Sequence, residues 1–209
     1  MLKKQSKTKD IILNHIKQNK REYASVVIVF FIGLIIGVIF INNSGSIQKT
    51  QINQYINSFV SNAKLNENLD NFNLIKNSIA KNCVIIFILW FVGLAVISIP
   101  LIYLSISFRG FCLGYTVSAI IATLGTWKGL GFIASGIFLQ NILFIPCMFG
   151  VGVSGLKLYK GIKNKKGNIK SEILRHSFFS VFVLIFVIIS SAVETYISSN
   201  LLAQYIKYL

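Results

Sequence analysis

Four polar side chains interrupt the apolar stretches of this chain, and their types could support chemistry inside a membrane. Arg109, Gln140 and Asn141 lie in the Gly-rich stretch 108–148, and Glu194 lies in an apolar run near the C-terminus. Ionisable side chains within a bilayer commonly mark a substrate, ion or proton path. Buried amides also hold neighbouring helices together. For 108–148 the sequence leaves a packed hairpin and a substrate path open, and we favour the hairpin.

Glu194 has two similar interpretations. As the carboxylate of the apolar runs it could relay a proton, or it could reach the membrane interface and pair with Lys128 or Lys207, which we favour slightly. The chain carries no Walker motif, no H-E-x-x-H, no G-x-S-x-G and no paired carboxylates. We therefore expect no enzyme, cofactor, metal or small-molecule substrate. The cysteines have no neighbours at metal-ligand spacing and are expected to be small buried hydrophobes, and His176 is expected to be an ordinary interfacial residue.

The composition is that of an integral membrane protein. Hydrophobic residues make up 54% of the 209 residues, and the mean hydropathy is +0.68, whereas soluble domains are roughly 45–50% apolar. The net charge of +15 lies in blocks beside apolar segments. Such blocks indicate membrane topology and contact with anionic lipid head groups rather than nucleic acid.

The pattern of apolar runs predicts an all-α integral membrane protein. We expect a five-helix transmembrane bundle with a Gly-rich central hairpin and an amphipathic helical outer loop. The predicted spans are about 24–41, 83–108, 111–124, 130–155 and 177–198. The remaining segments are a basic N-terminus 1–23, an outer loop 42–82, a basic cytoplasmic loop 156–176 and an outer tail 199–209. Pro100 is expected to kink the second span near its end, and Pro146 to break the fourth.

Small residues in these spans predict close helix contacts. Gly110 and Gly114 are four residues apart, as are Gly33 and Gly37, so each pair lies on one helical face and admits a neighbouring helix. A tight turn containing Trp127, Lys128 and Gly129 is expected to join the two arms of the hairpin.

Basic residues predict the orientation. Of the 21 lysines and arginines, seven precede the first span, seven lie in 156–176, and Arg109 falls between two spans on the same side. The other six lie in 42–82, in the 125–129 turn and in the tail. The positive-inside rule then places the N-terminus in the cytoplasm and the C-terminus outside. A re-entrant 111–148 hairpin gives the same sidedness, so two short spans and a re-entrant loop both stay open.

The outer loop 42–82 carries an apolar stripe at helical spacing, Ile52, Tyr55, Ile56 and Phe59. Such a face must rest on the membrane, on the protein's own bundle or on a partner. Tyr55 and Phe59 are the candidate partner-binding residues, because aromatic anchors usually dominate helix-in-groove contacts. Packing on the bundle is at least as well supported by the pattern.

Three short motifs, in this order and spacing, resemble the stage II sporulation protein M family of endospore-forming bacteria. They are Arg109-Gly110-x-x-x-Gly114-Tyr115-Thr116-Val117, Trp127-Lys128-Gly129, and Gln140-Asn141-Ile142-Leu143-x-Ile145-Pro146, and Ala192-Val193-Glu194 also fits. The likeness covers nearly the whole chain. A proline that often precedes the Gln-Asn pair is Leu139 here. The Pro-His-Gly and following Glu of the wider family are Leu139-Gln140-Asn141 and Phe144, so no role of that His or Glu is carried over.

The resemblance implies a scaffold for engulfment during sporulation. Similar proteins lie in the mother-cell membrane at the septum and hold the wall-cutting stage II sporulation proteins D and P. The motif residues would then serve helix packing and structure rather than catalysis. A polytopic transporter or channel that uses the Gly-rich hairpin and Glu194 is the alternative.

Overall fold

The computed structural model describes residues 19–65, 71–95, 97–163 and 168–207, and this part of the chain is helical with no strand. Most of the predicted N-terminal segment, residues 1–18, lies outside the described residues. The helices, in chain order, are α1 Lys20–Asn42, α2 Ser46–Leu65, α3 Asn71–Leu94, α4 Ser98–Leu124, α5 Thr126–Phe132, a π-helix Ile133–Phe138, α6 Leu139–Ile142, α7 Phe144–Lys163 and α8 Ile169–Lys207. The predicted all-helical class is confirmed.

Four helices, α1, α3, α4 and α8, are long and apolar enough to cross a membrane. Their outward faces carry large exposed apolar side chains such as Phe31, Phe91 and Phe182, as expected for a surface that meets lipid rather than water. The 39 residues of α8 extend about 58 Å at about 1.5 Å per residue. Because the hydrocarbon core is about 30 Å thick, α8 is long enough to reach beyond it at both ends.

The helix boundaries differ from the predicted spans at one important point. The sequence placed a junction between 83–108 and 111–124, with Arg109 at the membrane edge. The chain instead breaks between Leu94 and Ser98, and α4 runs without interruption through Arg109. Pro100 explains the shift, because it lies in the first turn of α4, where a missing backbone N–H leaves no helical hydrogen bond unmade. The proline starts a helix here rather than kinking one.

The predicted fourth span, 130–155, is not one continuous helix. It is divided between α5, the π-helix, α6 and α7, with a break at Leu143. Pro146 again lies in the first turn of the following helix. None of these pieces is among the four helices long and apolar enough to span a membrane, so helix length does not establish the fifth crossing.

Helices α1 and α4 are parallel and pack closely along two pairs of glycines. A Cβ on Gly33 or Gly37 would overlap the backbone carbonyl oxygen of Ser107 or Phe111 in α4, and Cβ atoms on the α4 glycines would overlap carbonyl oxygens of α1. Those α4 glycines are Gly110, against Phe30, and Gly114, against Leu34. The absence of four side chains therefore sets the distance between the two backbones. Next to this contact, a core of buried apolar residues joins α1, α3, α4, α7 and α8.

Candidate functional site

Arg109 lies in the middle of α4 and turns toward the broken segment. Its Nη2 donates a hydrogen bond to Oδ1 of Asn141 at 3.1 Å, and its guanidinium carbon lies 5.0 Å from the ring centroid of Phe144. The Nε atom is buried and has no hydrogen-bond partner among the described residues. An amide and an aromatic face therefore hold the cation, and neither neutralises its charge.

Asn141 follows the π-helix, and its second hydrogen bond holds the local turn. Its Nδ2 donates to the carbonyl oxygen of Ile137 at 2.7 Å. From α8, the Ser198 hydroxyl donates to the carbonyl oxygen of Gly136 at 2.9 Å, in a buried position. A π-helix is rare, is often found at functional sites, and shifts the register of the carbonyls that follow. These two side chains donate to two carbonyls of the π-helix, those of Ile137 and Gly136. The Gln140 side chain lies outside the described residues.

Around Arg109 and Asn141 lies a cavity of about 830 Å³, which we call the central cavity. Five parts of the fold line it: α2, α3, α4, the segment from α5 through α6, and α8. The α8 wall is a stripe of small residues at helical spacing, including Thr195, Ser198 and Ser199. The lining includes both apolar and polar side chains, so the central cavity can take a ligand that has both characters.

Glu194 is also buried on α8, one residue before Thr195. Its side chain is 7% exposed, and Oε1 has no hydrogen-bond partner among the described residues. The Ser190 side chain and the backbone of Leu143, at the break between α6 and α7, lie beside the carboxyl. Glu194 does not line the central cavity. The structure therefore separates the two buried ionisable groups that the sequence singled out.

The end of α4 turns sharply into α5. Gly125 has φ +82°, a backbone conformation that L side chains rarely adopt, and Gly129 lies against the backbone of Ile121 so that the two helices touch. Trp127 is 87% exposed. The carbonyl of Lys128 accepts a hydrogen bond from the Tyr205 hydroxyl at 3.1 Å, which attaches the turn to the end of α8. The predicted turn is therefore only Gly125, while Trp127, Lys128 and Gly129 lie in α5, from which Trp127 projects.

Helix α2 divides its apolar stripe between two uses. Ile56 is buried in a cluster with residues of α1, α4, α5 and α8. Phe59 lies edge-on to Phe132 with ring centroids 6.3 Å apart, and it is 45% exposed. Tyr55 is 76% exposed. The two interpretations of the stripe therefore apply to different residues: Ile56 packs on the bundle, while Tyr55 remains available to a partner.

His176, which we expected at the membrane interface, is instead buried inside the protein near the other end of the bundle. It is 1% exposed. Its Nδ1 lies 2.9 Å from the Ser154 hydroxyl, and its Nε2 lies 3.3 Å from the Trp90 carbonyl oxygen. A smaller cavity of about 260 Å³ adjoins it, lined in part by Lys157. Burial and the nearby positive charge of Arg175 lower the pKa of the Lys157 ammonium. The histidine serves as a buried connector between α3, α7 and α8.

Sequence reasoning identified Arg109 and Asn141 but not their contact, and it missed the polar stripe of α8. Ser191, Thr195 and Ser198 recur at intervals of four and three residues, which places them on one helical face. That periodicity was the available signal. The hydrogen bond from Asn82 Nδ2 to the Ser191 hydroxyl at 2.7 Å connects the same face to α3.

Comparison with known proteins identifies a family for most of the chain. The family model described as Stage II sporulation protein M matches residues 26–199. No curated protein and no solved structure matches the chain. The matched region includes Arg109, Asn141 and Glu194.

Proposed function

Because the chain belongs to the stage II sporulation protein M family, we propose that this sporulation-related membrane protein is a scaffold for wall remodelling. It anchors the peptidoglycan hydrolases, the stage II sporulation proteins D and P, at the septum while the mother-cell membrane engulfs the forespore. It performs no cutting itself. Its contribution is to hold partners at a defined place on the outer side of the membrane.

The proposal rests on the different environments of two neighbouring residues of α2. Ile56 fixes the helix to the bundle, and Tyr55 is 76% exposed on the same helix. A rigidly held helix loses little conformational entropy when a partner binds it, so an exposed aromatic side chain on it is an effective anchor. Trp127, in the first turn of α5, is a second exposed aromatic residue.

The topology that this function needs has five crossings, with the segment from α5 to α7 as the interrupted fourth. The parallel packing of α1 and α4 supports the first three crossings, because α3, which connects them in the chain, must then run in the opposite direction. With the basic N-terminus and the 156–176 segment in the cytoplasm, α2 lies on the outer side, where the wall is. The same sidedness follows whether Arg109 lies at the membrane edge or within α4.

A proton-coupled transporter is the second candidate, and it is favoured by the buried Glu194 carboxyl, one oxygen of which has no partner among the described residues. A carrier of this kind requires the ionised form of Glu194 at some step of its cycle. Glu194→Gln should therefore abolish flux in proteoliposomes if the protein is a carrier, with assembly intact. If the protein is a scaffold, Glu194→Gln should still support sporulation, provided that the variant folds.

The scaffold is tested by affinity capture from sporulating cells in a mild detergent, followed by detection of the two hydrolases. Tyr55→Ala should reduce their recovery about 10-fold or more, as expected for an aromatic anchor worth about 2 kcal/mol, while the apparent melting temperature stays unchanged. Ile56→Ala is the matched control, because it removes a side chain that packs on the bundle. It should lower the melting temperature, as large-to-small core substitutions do.

Full recovery of both hydrolases with Tyr55→Ala would exclude α2 as the recruiting surface. Absence of both hydrolases from the wild-type capture would contradict the scaffold itself.

A further inference from the structure

The charge on Arg109 has no counterion among the residues that the structure describes. The two ion pairs of the described chain, Lys160 with Glu22 and Arg175 with Glu172, both lie away from it. The guanidinium contacts an amide and an aromatic ring, and its Nε has no hydrogen-bond partner in the described part of the chain. A charge that is held away from water and left unpaired destabilises a fold, unless something else compensates it.

The central cavity brings a second unpartnered polar group to the same place. Thr195 is 3% exposed, and its hydroxyl has no hydrogen-bond partner among the residues described. Both Arg109 and Thr195 line the central cavity, with Asn82 and Asn141. Buried hydrogen-bonding groups are nearly always satisfied by protein or by another molecule. Arg109 and Thr195 therefore place a cation and a hydroxyl beside one space, where an anionic group fits.

Part of the lining of the central cavity is apolar. It includes Ile56, Phe132 and Ile137, and the exposed residues Tyr55 and Thr116 mark its mouth between α2 and α4. Lys81 from α3 adds a second cation to the lining. The volume of about 830 Å³ lies within the range of about 300–1,000 Å³ that is typical of ligand sites. A cavity lined by cationic residues and by apolar residues fits an amphiphile that has an anionic head group.

We propose that the central cavity binds an anionic amphiphile through its phosphate group, with Arg109 as the charged ligand and Thr195 as a hydroxyl donor. A planar guanidinium and phosphate oxygens match in geometry as well as in charge. The apolar wall takes the first part of the hydrocarbon chain. The site shares Tyr55 at its mouth with the surface proposed above to recruit hydrolases, whereas its polar ligands lie on α4 and α8.

The test uses the full chain, purified in a neutral detergent and titrated with phosphatidylglycerol, with native mass spectrometry to count bound lipids. The wild type should retain one phosphatidylglycerol and discriminate against phosphatidylcholine with the same acyl chains. Arg109→Gln should weaken that binding by about 10- to 100-fold, the usual effect of losing hydrogen bonds to a charged group. Arg21→Gln is the matched control; it removes an exposed arginine at the basic end and should leave the bound lipid in place.

A second variant keeps Arg109 and fills the space. Thr116→Phe places a ring at the mouth of the central cavity and should block the lipid with the charge intact, so it decides the question even where Arg109→Gln does not fold. Equal lipid retention by wild type and Thr116→Phe overturns the proposal. Inorganic phosphate is the other arm: saturable, Arg109-dependent binding of phosphate without binding of phosphatidylglycerol would assign the site to a soluble anion and also overturn it.

Discussion

The packing of α1 on α4 gives the sharpest prediction about stability. Gly114 lies where a Cβ would overlap the carbonyl oxygen of Leu34, and the overlapping atom belongs to a backbone, which cannot rotate away as a side chain can. Gly114→Ala should therefore force the two helices apart. Gly114→Leu should do so more severely, because its branched side chain needs further space.

The cost follows from the contacts that the displacement removes. A radial gap of about 0.5–1 Å forfeits roughly a quarter to a half of the dispersion energy of each contact across it, and overpacked substitutions cost about 1–3 kcal/mol. For a chain of this size that corresponds to a melting temperature lowered by about 2–12 °C. Alanine also favours a helix over glycine by about 0.5–1 kcal/mol, so a net loss of stability understates the steric cost.

Gly150→Ala provides the matched control. Gly150 is also buried within a helix, but its added Cβ would meet only the side chain of Phe179, at an ordinary 3.5 Å. That variant should be neutral or stabilised by the helix preference of alanine. The assay is thermal unfolding of the purified proteins in one detergent, and the fraction extracted from membranes checks insertion, which should be unchanged in both. Equal melting temperatures for Gly114→Ala and Gly150→Ala would refute the close approach of α1 and α4.

Two further predictions address topology and the π-helix. In a cysteine-free background, a membrane-impermeant thiol reagent applied to intact cells should label Asn62→Cys and Asn200→Cys but not Asn168→Cys; labelling at 168 would contradict the orientation. Ser198→Ala should leave the buried carbonyl of Gly136 without its donor and lower the free energy of unfolding by about 1–3 kcal/mol. Ser105→Ala, which loses only a bond within its own helix, should have a smaller effect in the same denaturation assay, and equal effects would contradict the role of Ser198.

Sequence patterns were sufficient for the class and for the pairs of glycines, because an apolar run and a four-residue spacing are local properties. They failed at Arg109 because its environment is not local. The expectation that a charge ends a span is sound for an isolated helix, but Asn141 and Phe144 lie more than thirty residues further along the chain and provide the contacts. The position of Pro100 relative to its helix is not fixed by local sequence either. Pro100 is compatible with either a kink or a first turn, and only the neighbouring chain decides.

The hydrogen-bond partners of the polar stripe of α8 also depend on residues far away in the chain. Serines and threonines spaced along one face of an apolar helix are compatible with bonding to their own backbone, as Thr116 bonds to the carbonyl of Cys112. Ser198 instead crosses to the carbonyl of Gly136, because the π-helix presents that carbonyl to it. The spacing was readable in the sequence, but the acceptor depends on a rare helical turn in another segment.

The two proposals meet at α2, since Tyr55 lines the mouth of the central cavity and is also the exposed anchor. They separate at Thr116, which lies on α4 and changes the central cavity without removing any side chain from α2. If hydrolase recovery survives Thr116→Phe while the lipid is lost, the scaffold works without its amphiphile. If both are lost together and the melting temperature is unchanged, the occupied cavity must support α2 from beneath, and lipid binding becomes a condition for recruitment. The second result would follow from the geometry, because Ile56, which fixes α2 to the bundle, is itself part of the cavity wall.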